Sequence, residues 1–189
     1  MDGHDPRDVT LLLHAVTNGD PDALDALLPL LYDDLHELAH RQRRRQHGPE
    51  TMNTTSLLHE AYLKLVRADG SFEDRTHFFR AAAQAMRQIL VDYARRRQAE
   101  KRGGGQAAAT YDDAEFAVVR RSEELIALDD ALNRLSAMSP RQSEIVNMRY
   151  FAGFTIPETA ELMGLSPATV WRDWAAAQAW LQQELSGEE

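Results

Sequence analysis

The sequence contains no cysteine, which excludes disulfides and thiolate metal sites. It has no long apolar run either. The longest are short stretches such as residues 11–13 and 27–31, against the roughly 20 apolar residues that a membrane-spanning helix needs. The first eight residues are polar and acidic, unlike a secretory signal. A soluble cytoplasmic protein without a membrane partner is the expectation. Lysine is nearly missing: of 21 basic residues, 19 are arginine and two are lysine. No strand pattern and no internal repeat stand out. A chain of 189 residues makes one domain or two small ones, and small lobes bury proportionally less surface.

The net charge of −9 speaks, taken whole, against a nucleic-acid binder, because phosphate is repelled. The distribution says otherwise. Residues 1–40 carry one basic and nine acidic side chains, residues 41–102 carry 14 and seven, and residues 103–189 carry six and 14. The thirds are therefore −8, +7 and −8. The central block is rich in arginine, the side chain suited to phosphate forks and base stacking.

Helical periodicity runs through almost the whole chain. Val9, Leu12, Leu13 and Val16 share one stripe, which Gly19 ends. Asp20-Pro21 is a cap followed by proline at the first helical position, and Leu24, Leu27, Leu28, Leu31, Leu35 and Leu38 continue as an apolar face with Pro29 as a kink. A third helix starts near residues 54–56 with Leu57, Leu58, Ala61, Tyr62 and Leu65 inward, and Asp69-Gly70 is a turn. A long helix follows over about residues 76–98, with Phe78, Ala82, Met86, Ile89, Leu90 and Tyr93 inward. Residues 103–109, Gly-Gly-Gly-Gln-Ala-Ala-Ala, suit a flexible linker, and weak patterning extends it to about residue 120. Beyond it Leu125, Leu128, Leu132 and Leu135 form a stripe, and Ser139-Pro-Arg-Gln and Thr155-Ile-Pro-Glu each have the form of a capping box. The fold class is all-α: a domain over 1–102, a linker over 103–120 and a domain over 121–189.

The last part contains two short helices around Gly164, with the proportions of a helix-turn-helix. Ile156, Ala160 and Met163 form the buried side of the first helix; Val170, Trp174, Ala177 and Leu181 face inward from the second. In this motif the N-terminal end of the second helix enters the major groove. Ser166, Ala168, Thr169, Trp171, Arg172 and Asp173 lie there. Arg172 suits guanine, Thr169 a phosphate or a thymine methyl, and Trp171 either meets DNA or packs on the preceding helix. The plainer alternative is an ordinary antiparallel helix pair.

In the basic block, Phe72, Phe78, Phe79 and Tyr93 alternate with Arg75, Arg80, Arg87, Arg95, Arg96 and Arg97. Arginine follows backbone phosphate while aromatic rings stack on unpaired bases, which suits melted DNA. The alternative is that Phe78 and Tyr93 are core and the arginines a solvated face. One motif competes. His36-Glu-Leu-Ala-His40 has the H-e-x-x-H spacing of zinc proteases, in which the histidines bind metal and the glutamate is the base. No convincing third ligand follows, and the adjoining arginines repel a cation, so surface or boundary histidines are the simpler reading.

Taken in order, these motifs resemble the extracytoplasmic-function (ECF) sigma factors of bacterial RNA polymerase. Residues 57–65, Leu-Leu-His-Glu-Ala-Tyr-Leu-Lys-Leu, resemble the family's polymerase-docking region 2.2, and residues 77–97 resemble regions 2.3 and 2.4. Residues 139–153 and 155–174 resemble the opening of region 4 and its helix-turn-helix. The resemblance implies a promoter-specificity subunit that is not an enzyme and needs no cofactor. It implies that Leu57, His59, Glu60, Tyr62, Leu63 and Lys64 meet polymerase. Phe72, Phe78, Arg80, Arg87, Arg95, Arg96 and Arg97 would meet the −10 strand, and Arg141, Arg149, Ser166, Thr169, Trp171 and Arg172 the −35 duplex. The implied partners are core RNA polymerase (its beta-prime clamp and beta flap), promoter DNA, and an anti-sigma factor or a Ser/Thr protein kinase. The acidic thirds would discourage DNA binding until polymerase arranges the lobes. A regulator with a helix-turn-helix but no sigma activity is the alternative.

One departure stands out. Acidic residues usual before region 2.2 are replaced here by Asn53-Thr54-Thr55-Ser56. Thr and Ser are good helix caps. A sharper reading is phosphorylation at Thr54, Thr55 or Ser56, Thr55 foremost, since phosphate is favoured at a helix N-terminus.

Overall fold

The computed structural model describes residues 54–67, 74–103 and 113–187, together with isolated positions between 11 and 27. Among the described residues every regular element is helical: α1 (Thr54–Arg67), α2 (Arg75–Gly103), α3 (Asp113–Met138), α4 (Pro140–Val146), a π-helical turn (Asn147–Phe151), α5 (Ile156–Met163) and α6 (Pro167–Ser186). The all-α class follows from the 3.6-residue periodicity of the apolar positions.

Near the N-terminus, residues 11, 12, 14–16, 22, 23, 26 and 27 are helical, and Asp20 Oδ1 accepts from Asp22 N at 3.0 Å, as the expected cap requires. The Pro29 kink, the arginines at 41 and 43–45, the turn at Asp69-Gly70 and the His36-to-His40 motif lie outside the described residues.

α2 starts one residue before the expected position, with Asp74 Oδ1 accepting from His77 N at 2.7 Å. It also runs past residue 98 to Gly103, because 95–102 contains strong helix formers and nothing to stop them. α3 is longer than its leucine stripe. Residues 113–120, expected as the end of a linker, belong to the helix; 104–112 lie outside the described residues.

Ser139 is not the cap that its sequence suggests. It joins α3 to α4 as a single residue, and its side chain makes no capping bond. Its N–H donates to Leu135 O at 2.7 Å, so no free N–H remains for a side chain from Gln142 to reach. Thr155 does form the box: Thr155 N donates to Glu158 Oε2 at 2.7 Å and Glu158 N donates to Thr155 Oγ1 at 3.4 Å.

One continuous core joins the elements. Leu57, Ala61 and Leu65 of α1 pack with Phe78, Phe79, Met86 and Ile89 of α2, and the same cluster includes Leu132, Leu135, Met148, Phe151 and Phe154. The Phe79 and Phe154 rings meet edge to face at 5.6 Å. Described residues on both sides of the glycine-rich stretch thus share apolar packing. A smaller cluster of Ile145, Ala160 and Val170 seats α5 and α6 on α4.

Candidate nucleic-acid and polymerase interface

The α5–α6 pair is shaped by its turn. Gly164 ends α5 in the left-handed region, with φ 63°. That conformation is open to glycine without steric cost, and it lets Leu165 N donate to Ala160 O at 2.9 Å. Ser166 then caps α6, its Oγ accepting from Thr169 N at 3.1 Å and meeting Thr169 Oγ1 at 2.9 Å. With Val170, Asp173 and Ala177 buried, the opposite face presents Ala168, Trp171 and Arg172 to solvent. Trp171 is 63 % exposed, so its ring does not pack on the preceding helix.

Arg141, at the start of α4, is held beside this face. Its Nε donates to Asp173 Oδ2 at 2.7 Å. The carboxylate is buried while most of the arginine is accessible, so Asp173 orients a cation that still faces water. Arg149 is engaged otherwise. Its guanidinium stacks 4.8 Å from the Trp174 ring and donates to the Phe154 carbonyl at 3.3 Å, tying the π-helical turn to α6.

In α1, Leu57 belongs to the core, His59 is exposed, and Glu60 and Leu63 are half-buried. Lys64 reaches α2, 3.1 Å from Gln88 Oε1 and 3.6 Å from Asp92 Oδ2. Tyr62 lies on the same helix, and Thr54, Thr55 and Ser56 form its first turn, which carries no acidic residue. Only Ser56 of those three has a described side chain, and it is exposed.

The α2 arginines divide into two groups. Arg96 is exposed, and Arg97 lies over Tyr93, donating to its hydroxyl at 3.2 Å. Arg80, Arg87 and Arg95 instead face the C-terminal half. Arg80 pairs with Glu144. Arg87 is 3 % exposed and donates to Asp129 Oδ1 at 2.8 Å, to the Asp129 carbonyl at 2.9 Å and to Asn133 Oδ1 at 2.8 Å. Arg95 reaches the other oxygen of Asp129 at 3.0 Å. Phe78 is buried in the core, the plainer of its two expected roles, and Phe72 lies outside the described residues. In this arrangement neither Phe78 nor Arg87 faces solvent.

Sequence reasoning missed Asp129, and it set Asp173 among the residues at the groove-entering end of α6, where the carboxylate is in fact buried. Both had a signal. Asp129 stands four residues after Leu125 and three before Leu132, and Asp173 three after Val170 and four before Ala177, so each carboxylate lies on an apolar helix face. A buried carboxylate demands a partner.

The ECF sigma factor profile matches residues 6–187, nearly the whole chain. The chain belongs to the ECF sigma factor family. It is an alternative sigma factor, a DNA-binding and RNA-polymerase-binding protein of transcription initiation and its regulation. Comparison with curated proteins finds no match. Among the described residues of this sigma factor, no helix is long and apolar enough to cross a membrane, and no side-chain cluster is able to hold a metal ion.

Proposed function

We propose that this sigma factor docks on the beta-prime clamp of core polymerase through α1, opens the −10 element with α2, and reads the −35 element with α6. The exposed Trp171–Arg172 face beside the oriented Arg141 carries the reading. A helix N-terminus that presents an aromatic ring and an arginine, with a second arginine held against the helix from α4, suits a major groove flanked by phosphates. Ser166 and Thr169 set the helix start at that groove, and Arg149 braces the support behind it. Residues 1–102 form the docking and −10 unit, 103–120 join it to the −35 unit, and 121–189 form that unit and touch the beta flap.

On α1 the docking surface is His59, Glu60, Tyr62, Leu63 and Lys64, with Leu57 anchoring it from inside. On α2 the −10 surface is Arg80, Arg87 and Arg95–Arg97, with Phe78 behind it and Phe72 beyond its start. The protein acts in the cytoplasm, without catalytic residues or a cofactor.

Docking is controlled at the first turn of α1. Phosphate on Thr55, or on Thr54 or Ser56, adds about −1.5 to −2 charges where the helix dipole favours them. It thereby supplies the negative charge this turn lacks. A Ser/Thr kinase is the partner this reading calls for, and an anti-sigma factor is the alternative means of control. Run-off transcription with core polymerase on genomic fragments tests the whole. Promoter-specific products are expected; specific DNA binding without initiation means a helix-turn-helix regulator instead. Thr55→Glu should bind core polymerase more tightly than Thr55→Ala, and equal binding by both and by wild type sinks the switch. Metal analysis of the purified protein disposes of the histidine motif: stoichiometric zinc would revive it.

A further inference from the structure

Asp173 stands on the buried side of α6, one residue after the exposed pair Trp171 and Arg172. Its side chain is 8 % exposed, while that of its partner Arg141 is 55 % exposed. Among the described residues, the bond from Arg141 Nε to Asp173 Oδ2 is the one hydrogen bond of this guanidinium. A guanidinium is a rigid planar fork of N–H donors. A carboxylate that takes Nε leaves both Nη nitrogens for a second anion. The clasp is also set in a packed wall. Val170 and Ala177, a turn to either side of Asp173, are buried, and Ile145 of α4 packs on Val170. Packing therefore fixes where the carboxylate stands, and the carboxylate fixes where the guanidinium stands. A buried ion pair is weak support for a fold, because desolvation offsets most of its attraction. Its gain is in position: a long side chain already clasped loses less rotamer freedom when it meets a further anion.

We propose that Asp173 is a positioning residue for −35 binding: it holds Arg141 by Nε so that the Nη edge takes one backbone phosphate of the duplex. The inference rests on the sigma-factor reading above and deepens it. Asp173 is buried and does not itself touch DNA; it acts through Arg141. Its position is one residue, about 100° of helical turn, from Arg172. The two arginines then divide the work. Arg172 is free to meet a base edge, whereas the clasped Arg141 sets the register of α6 against the backbone, the role that phosphate contacts have on a duplex. The carboxylate has two opposed effects on such a contact. Its charge partly cancels that of Arg141 and weakens the pull on phosphate, and its hold prepays the ordering of the fork. The proposal is that the second effect wins.

The test uses the full chain assembled with core polymerase and a duplex selected from genomic fragments by its binding, titrated over a range of salt. Arg141→Ala and Asp173→Ala are each expected to bind about tenfold more weakly than wild type, and the double variant no more weakly than Arg141→Ala alone. In both single variants the slope of log affinity against log salt should become shallower by about 0.9, the share of one phosphate. A carboxylate that only packs would leave that slope unchanged, and its loss would add to that of Arg141→Ala; either result overturns the proposal. So does tighter binding by Asp173→Ala, the outcome if the carboxylate merely neutralises Arg141. Arg141→Lys guards against misfolding, since it keeps the charge at an exposed position. A lysine clasped by Asp173 has no second edge to offer. It should bind nearly as weakly as Arg141→Ala, and wild-type affinity overturns the proposal. Initiation is read separately. If wild type binds the duplex specifically and does not initiate, the sigma-factor reading falls, and the same variants of the free chain on that duplex decide the role of Asp173.

Discussion

Arg87 and Asp129 lie 42 residues apart and are joined by two donor bonds, from Arg87 Nε to the carboxylate at 2.8 Å and from Nη2 to the backbone carbonyl at 2.9 Å. Both side chains are largely removed from water. Breaking such a pair leaves a buried charge without its counterpart, whereas replacing both partners by apolar groups removes the desolvation cost as well. Asp129→Ala is therefore expected to lower stability by about 3–5 kcal/mol. The double variant Arg87→Met/Asp129→Leu should unfold near or above the wild-type midpoint. Denaturant unfolding followed by circular dichroism measures both, and a double variant weaker than the single one would contradict the account.

The two serine- and threonine-led helix starts make a paired test. Thr155 forms both bonds of its capping box, while Ser139 forms no side-chain capping bond. Thr155→Ala should cost about 0.5–2 kcal/mol. At this chain length that is a fall of about 2–4 °C in melting temperature per kcal/mol. Ser139→Ala should change the melting temperature much less. Calorimetry on the two variants decides it, and equal losses would mean that Ser139 is doing more than joining α3 to α4.

On the proposed reading, DNA recognition should separate from stability at α6. Trp171 and Arg172 are exposed, so Trp171→Ala and Arg172→Ala should leave the melting temperature nearly unchanged. Arg172→Ala should weaken binding of the polymerase holoenzyme to a −35 duplex by about 1–3 kcal/mol if it forks onto a base. Its effect should depend on the base pair it reads. A uniform loss across sequences would instead assign Arg172 to phosphate. Gel-shift titration over a set of single base-pair changes makes the distinction.

Tyr150 carries an alkaline signature. Burial, and then the negative charge of Glu124, push its phenol above the usual tyrosine value of 10.0. The folded chain therefore holds this proton more tightly than the unfolded chain does. The stability linked to it is complete below pH 10 and is lost as pH rises from there through the folded-state value. The stability difference between wild type and Tyr150→Phe should be flat below pH 10 and shrink above it. A difference independent of pH between 8 and 12 would remove burial of the phenol as the cause.

Much of the site was legible along the chain. The stripe through Leu57, Ala61 and Leu65, the capping box at Thr155 and the glycine turn at Gly164 are written in spacings of three to four residues, and the structure has them in those places. What misled were local patterns with non-local competitors. Ser139 has the letters of a cap, but its N–H was already taken by Leu135. Phe78 and Arg87 have the composition of a DNA surface, and the spacing alone does not say that in this arrangement both are packed inside.

By itself the sequence determined that the chain is helical, which face of each helix is apolar, where α5 and α6 start, and that arginine is concentrated between two acidic segments. These are consequences of short-range periodicity and of caps that act within one turn. Only the tertiary structure decided which acid meets which arginine. Asp129 and Asp173 are both carboxylates on apolar faces, and nothing local tells them apart. One clasps Arg87 and Arg95 across the core, and the other holds Arg141 of α4 against α6. That choice depends on how helices far apart in sequence pack, and no short-range spacing carries that information.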